Sequence, residues 1–305
     1  MHQALLNDVP TTKRDVYYKD VTLFKRQSIV DKLVDDIAAT MSLCRSDMCI
    51  RASPKGLFSG SALTVHLKQG GTLYGTDCEA TLIPTADEIA RFDVNDDLRW
   101  VLVVEKEAIF QTLVHLELTA HDATLGQGII VTGKGYPDVA TRQLVCTLSQ
   151  NLPSSVPILG LMDADPFGVD ILSVYKYGSA AMSHEAADLA APRLQWIGIL
   201  NSEFSELCLD RDSLIPMSTH DEKKAMAMLR RKHMPKEWRR ELQQMVFTRR
   251  KAEIEILTRR VSQVPACAGT DKPEEGHMSE PALESIVHPL VEYVATKIRS
   301  VIELQ

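Results

Sequence analysis

Apolar residues recur along the 305-residue chain at two different spacings, and the change from one to the other divides it. Val21, Phe24, Ile29, Leu33 and Ile37 fall at helical intervals and predict an amphipathic helix ending near Met41. Ser42–Ser46 is turn-like and can open a second short helix. Met48–Ala52 and Ser61–Leu67 read as strands separated by the Pro54–Gly60 turn, and Gln69-Gly-Gly71 signals a hairpin before Thr72-Leu-Tyr74. Helix, turn, short helix and hairpin in that order predict a winged helix-turn-helix (CAP-like) domain over residues 1–85.

Past that point the pattern becomes one of buried strands and intervening helices. Leu98–Val104 is a continuous apolar run ending in Glu105, before a helical stretch Ala108–Leu118. Gly128–Thr132 is a second strand, followed by Gly133-Lys-Gly135 and a helix to about Leu148. Val156–Met162 is a third and Leu194–Leu200 a fourth. Strands alternating with helices predict an α/β domain with a parallel sheet over 86–265, α+β overall when the first domain is included. Residues 220–260 read as helical and basic, with clusters at Arg230–Lys232, Arg239-Arg240, Arg249–Lys251 and Arg259-Arg260. Interspersed Glu237, Glu241, Glu253 and Glu255 make a solvated charged face the leading explanation, with DNA contact second. Residues 266–282 have no hydrophobic period and are expected to be a disordered loop. An amphipathic helix closes the chain over 283–305, free either to pack on the core or to serve a partner.

Composition narrows the class. A hydrophobic content of 45% and a charged content of 25% suit a soluble globular protein with room for two domains. No apolar run is long enough to span a bilayer, and Met1–Asp8 lacks a signal-peptide pattern. The cysteines at 44, 49, 78, 146, 208 and 267 contain no C-x-x-C pair and read as reduced, mostly buried thiols of a nuclear or cytosolic protein. A net charge of −7 does not advertise nucleic-acid binding, although a DNA surface needs only local basicity.

The candidate chemistry begins at the third strand, which ends in Asp163-Ala-Asp165 before a Pro-Phe-Gly turn. Ligands of parallel sheets bind at the carboxyl ends of strands. Residues i and i+2 of an extended segment face one way, so both carboxylates can meet one hard cation. Taken alone, the pair is more readily an Asx-turn and helix N-cap. Glu105, at a neighbouring strand end, is a third ligand candidate or a helix-start carboxylate. The Gly133-Lys-Gly135 loop lacks the full P-loop or dinucleotide pattern.

Several motifs, in order, resemble one family. They are Lys13-Arg-Asp-Val-Tyr-Tyr-Lys-Asp-Val-Thr-Leu-Phe24, Lys55-Gly-Leu57, Val103-Val-Glu-Lys106, Thr132–Asp138 with Thr141-Arg142, Asp163-Ala-Asp-Pro-x-Gly168 and Tyr175–Ser179. From about Thr12 to Thr258 the chain resembles the A subunit of type IIB topoisomerases (topoisomerase VI), and more closely its meiotic relative, the sporulation-eleven transesterases. The resemblance implies a winged-helix domain bearing a nucleophilic tyrosine, Tyr18, and a Toprim domain holding Mg2+ (Mn2+ as substitute) on Glu105, Asp163 and Asp165. Arg14, one helical turn before Tyr18, matches a basic residue of the family's active site and can grip a phosphate bidentately. Tyr17 is expected to point elsewhere and pack. Lys55, Lys134, Arg142 and Lys176 are the implied DNA contacts, Lys55 with a bland alternative as a turn residue and Arg14 with one as a surface cation.

The implied activity is cleavage of double-stranded DNA through a 5′-phosphotyrosyl link, making the breaks that initiate meiotic recombination in the nucleus. The implied partners are a second copy of the chain (a homodimer), meiotic accessory proteins and a B-like partner of the topoisomerase VI kind, with no membrane. Three alternatives remain: a true topoisomerase VI component working in ATP-dependent strand passage, a non-catalytic DNA-binding or scaffolding protein, and a Toprim primase or nuclease. The family's tyrosine domain normally starts with a helix well upstream of Lys13, so a fragment, a shortened product or a missing first element is expected here.

Overall fold

A computed structural model describes the chain except residues 1, 8, 42, 44–45, 51–53, 121–123, 180–188, 233, 263–287 and 305. The loop expected at 266–282 and the start of the last helix lie outside the described residues.

The N-terminal helical text divides where its capping residues dictate. After a short α1 (His2–Asn7), Thr12 and Asp15 form a reciprocal capping box that starts α2 (Lys13–Lys19). Asp20 ends α2, and its carboxylate accepts from Leu23 N–H at 2.9 Å to start α3 (Val21–Phe24). Lys25, with φ of 60°, breaks the run before α4 (Gln27–Met41). The single helix expected from Val21 to Met41 is therefore two. Its buried face also differs from the expected one: Val30, Val34 and Ala38 point inward, whereas Ile29 and Leu33 are 47% and 45% exposed. Both rows have the same i, i+4 spacing, so periodicity alone does not choose between them. Packing against Val16 of α2 does, with Lys13 fastened to Asp35 at 2.6 Å. Met48 and Ile50 complete this small core; the strand expected there is a 3-10 turn at Ser46–Met48 and one bridge from Ile50 to Thr11.

The large core is built on a six-stranded sheet. Its strands are β1 (Leu57–Ser59), β4 (Thr81–Leu82), β6 (Leu98–Val104), β7 (Gln127–Thr132), β8 (Ile158–Leu161) and β9 (Leu194–Gly198). They lie side by side in the order β4-β1-β7-β6-β8-β9. The strands β7, β6, β8 and β9 run parallel, linked by α5 (Glu107–His115), α6 (Val139–Asn151) and α7 (Pro166–Tyr177). Val101–Val104 of β6 are fully buried, as an unbroken apolar strand flanked on both sides requires, and each such side chain contributes roughly 1.5–3 kcal/mol.

A second sheet joins β2 (Leu63–Leu67) to β3 (Thr72–Tyr74) on one side and to β5 (Ile89–Val94) on the other. The β2–β3 hairpin turns at Gly70 and Gly71, whose φ values of 83° and 106° suit glycine. Its inward residues Leu63 and Val65 belong to the large core, not to the helical cluster of α2 and α4. Hairpin and helices thus do not share the one core that a winged helix over residues 1–85 requires. The expected boundary at 85/86 also cuts through the six-stranded sheet, because β1 is hydrogen bonded both to β4 and to β7.

The basic segment forms α8 (Thr219–Leu229) and α9 (Lys236–Thr248), then the short strand β11 (Arg250–Lys251) paired with β10 (Ile215–Pro216). Not all of its charge is solvated. Arg239 caps the carbonyls of Leu229 and Arg231 at 2.6 and 3.0 Å, and buried Glu241 accepts from Ser202 Oγ at 2.6 Å. The last helix, α10 (Pro289–Glu303), packs back on the core through Leu290, Val294 and Ile298, and Tyr293 donates to Glu203 at 2.8 Å. Among the described cysteines Cys146 is buried but Cys78 and Cys208 are exposed, contrary to the expectation of mostly buried thiols.

Candidate active site

The register of β6 against β8 brings the first two acids together. Val104 stands opposite Leu161, and Glu105 N–H continues the ladder to the Leu161 carbonyl at 3.1 Å. One step on, Asp163 N–H donates to Glu105 Oε2 at 2.9 Å, and both side chains are buried. The third strand end arrives beside them, since Gly135 N–H donates to the Glu105 carbonyl at 2.9 Å. Asp165 is the N-cap of α7: its Oδ1 accepts from Phe167 and Gly168 N–H at 2.9 and 2.7 Å. The cap reading of the Asp pair therefore holds for Asp165, and Asp163 is left as the buried, strand-end acid. Gly168 is obligatory, because a Cβ there would lie 2.4 Å from the Asp163 carbonyl and 3.0 Å from Glu105 Oε2.

Burial and crowding shift these acids. Burial first, and the Asp163 charge second, push Glu105 up to about 8. Burial also raises Asp163 to about 6, against the Ile254 N–H that donates to its Oδ1 at 2.9 Å and against the Lys106 ammonium. A carboxyl raised in the folded state binds more protons there than in the unfolded chain, so its contribution to stability is lost as pH climbs through the folded value. The metal-free protein is expected to lose melting temperature as pH climbs from the ordinary carboxylate range to about 8, the share of Asp163 being lost by about pH 6 and that of Glu105 by about 8. Mg2+ is expected to restore more of it at the upper end of that window than at the lower, because the ion competes with these protons. Thermal melts in EDTA and in Mg2+ at the two ends check this; a melting temperature that rises with pH in EDTA would contradict it.

A second segment, unforeseen in the sequence, lines the acids. Ala164 and Ala252 form an antiparallel bridge, with N-to-O distances of 2.9 and 3.3 Å. The bridge lays Lys251–Glu255 along Asp163–Asp165. Lys106 Nζ lies 3.1 Å from Asp163 Oδ2, 3.1 Å from Glu253 and 2.8 Å from Glu255. Lys251 Nζ lies 3.6 Å from Asp165 and 3.1 Å from Asp221. Burial works to lower the Lys106 ammonium, but its bonds to Glu255, Asp163 and Glu253 outweigh that and hold its pKa above the ordinary value. The alternation of charge at Lys251, Glu253 and Glu255 is the only sequence trace of this strap, and it reads equally well as a solvated face. Asp170 is a further unforeseen hub, bonded to Tyr136 at 2.7 Å, Lys224 at 2.6 Å and Arg231 at 2.8 Å.

The donor set suits a hard divalent cation in its chemistry: three carboxylates, all oxygen, two of them held close by a strand ladder. Among the described residues, no three His, Cys, Asp or Glu side chains are gathered as a ready cage. The oxygens of Asp163 and Asp165 are turned instead to ammonium and N–H groups, so cationic groups already stand against the acids that would hold an ion.

The remaining expected residues divide. Tyr18 is 64% exposed on α2, with its ring 5.4 Å from that of Tyr17, which packs on the helical core as expected. Arg14 is also exposed, four residues earlier. Lys55 and Lys134 are brought together: Lys55 Nζ donates to the Lys134 carbonyl at 3.1 Å, while Lys134 Nζ meets Glu107 at 2.8 Å. Arg142 is only 3% exposed, on the inner side of α6, and offers no surface to a phosphate. Lys176 spends its ammonium on the carbonyls of Pro192 and Leu194 at 2.7 and 2.6 Å, tying α7 to the start of β9.

Parallel strands ending in paired acids, with a third acid capping the following helix, define a Toprim-type domain, a metal-binding class. Residues 100–266 match the family model for the Toprim domain shared by Spo11 and the topoisomerase 6 A subunit, and residues 1–50 match that for type IIB DNA topoisomerase. The chain belongs to this family of Spo11 and topoisomerase 6 A-type proteins. It is 36% identical to meiotic recombination protein SPO11 of Mus musculus over 85% of this chain and 64% of that protein. Against meiotic recombination protein rec12 of Schizosaccharomyces pombe the identity is 37%, over 84% of this chain and 70% of that one. The DNA topoisomerase 6 A subunit of Arabidopsis thaliana is 34% identical over 85% of this chain. The chain thus spans 64% of the length of the mouse protein and 59% of the Arabidopsis one.

Proposed function

We propose that the protein is a DNA transesterase that makes the double-strand breaks initiating meiotic recombination, acting in the nucleus. The observation that carries this reading is the meeting of Glu105 and Asp163 at adjacent parallel strand ends, with Asp165 capping the next helix. The Tyr18 oxygen attacks the phosphorus of a phosphodiester, forming a 5′-phosphotyrosyl bond as the bond to the 3′-oxygen breaks. The phenolic proton leaves the tyrosine, and the departing 3′-oxygen takes up a proton to become a free 3′-hydroxyl. One phosphoester replaces another, so this step needs no ATP. Arg14, exposed on the same helix, offers two parallel N–H groups to the phosphate. Glu105, Asp163 and Asp165 would hold Mg2+, which supplies positive charge for the phosphate oxygens as negative charge develops.

The helix that carries Tyr18 and the strands that lead to the acids pack into two separate hydrophobic cores. This supports a composite site in a two-fold dimer, Tyr18 of one protomer serving the acids of the other, so that two nicks make one break. Lys55 and Lys134, tied to each other near the strand ends, are assigned to the DNA backbone in this reading.

The test is a cleavage reaction on supercoiled plasmid with Mg2+ or Mn2+, digested with nuclease and read by mass spectrometry. A nucleotide is expected on Tyr18. Cut ends free of protein, or a nucleotide on another residue, would overturn the assignment. The similarity to the Arabidopsis topoisomerase favours a second reading, strand passage with an ATPase partner of the B type. ATP-dependent relaxation in the presence of such a partner would distinguish it.

A further inference from the structure

Lys106 and Lys251 have a feature in common that neither burial nor helix capping requires. Each ammonium is shared between one acid of the candidate metal set and acids outside it. Lys106 divides itself between Asp163 and the pair Glu253 and Glu255, and Lys251 between Asp165 and Asp221. An ammonium with one partner would be stranded, and costly, if a dication took that partner away. These two would not be stranded. The outside acids lie close enough to keep each lysine paired once its contact with Asp163 or Asp165 is given up. Glu253 is half exposed and Glu255 a third exposed, so both have room to follow the ammonium.

We propose that Lys106 and Lys251 are built-in counter-ions that hold the acids in place without metal and retreat onto Glu253, Glu255 and Asp221 when a divalent cation binds. They are positioning residues, and they set how tightly the site takes its ion. The inference rests on the reading of Glu105, Asp163 and Asp165 as metal ligands.

The two halves of the arrangement have opposite signs. Removing the competing ammonium should tighten the site, since a like charge a few ångströms from the ion opposes it; about tenfold is the expected order. Removing the place it retreats to should loosen the site by a similar factor. The full chain, freed of metal, is titrated with Mn2+ and the free ion is followed by electron paramagnetic resonance. Lys106→Met and Lys251→Met are expected to bind Mn2+ about tenfold tighter, Lys106→Arg as the wild type, and the double variant Glu253→Gln/Glu255→Gln about tenfold weaker.

A general loss of negative field would also weaken binding in the double variant, so the same pair is placed in the Lys106→Met background. There most of the effect is expected to vanish, because nothing is left to retreat. Melting in EDTA confirms that each variant folds; Glu253→Gln/Glu255→Gln, changing the more exposed acids, keeps the test open if Lys106→Met does not. Unchanged affinity in the lysine variants, or full additivity of the glutamine pair with Lys106→Met, would overturn the proposal while wild type still binds and Asp163→Ala does not. Should the wild type bind no Mn2+, or Asp163→Ala bind as well as wild type, the ligand assignment itself fails.

Discussion

Tyr18→Phe is expected to abolish covalent protein–DNA adducts, by at least about a thousandfold, with the fold intact. The substitution removes one oxygen from a ring that is 64% exposed on a helix held by other residues. The Thr12–Asp15 capping box, buried Val16 and the Lys13–Asp35 pair fix α2 without any help from the Tyr18 hydroxyl. Melting temperature should therefore stay within the small range of surface substitutions. Tyr17→Phe serves as the control: its ring packs on the helical core, so adduct yield should persist. Adducts are measured by trapping protein on labelled DNA after denaturation. Adducts of undiminished yield from Tyr18→Phe would remove the nucleophile from the proposal.

Asp163→Asn is expected to reduce metal-dependent cleavage by at least about a hundredfold, again without unfolding the protein. An asparagine is close in shape and its carbonyl oxygen can still accept from Ile254 N–H, the bond that anchors the Lys251–Glu255 strap. What it removes is a negative charge that burial already disfavours, as the raised value of about 6 records. Stability in EDTA above that pH should thus be equal to or greater than that of the wild type, even as Mn2+ affinity falls. Opposite movements of stability and activity distinguish a ligand from a scaffold residue. Cleavage that survives Asp163→Asn, or that falls only in step with melting temperature, would count against a ligand role.

How much of this was legible in the sequence depends on how local the cause was. The parallel strands β6, β7 and β8 announced themselves because strands buried on both faces read as mainly apolar runs, whereas β9, at the sheet edge, keeps Gln195 exposed. Their acidic ends followed directly: Glu105 and Asp163 each stand just past such a run. The hairpin at Gly70-Gly71 was equally local. Helix α4 shows the limit, since two rows of apolar residues competed and contact with Val16 decided which one was buried. Arg142 and Lys176 show it again. A cation's residue type says that it needs acceptors but not which: Lys176 finds backbone carbonyls and Arg142 lies in the interior.

By itself, then, the order of residues determined which strands are interior, where the carboxylates fall along them, and which helix carries Tyr18. Those depend on spacing and capping within a few residues. The tertiary structure alone decided what faces the acids. Lys251, Glu253 and Glu255 lie far along the chain from Asp163, and the Ala164–Ala252 bridge and the Ile254 N–H bond to Asp163 bring them alongside. Long-range charge pairing leaves no periodic mark in a sequence, because its geometry is set by how separate segments pack.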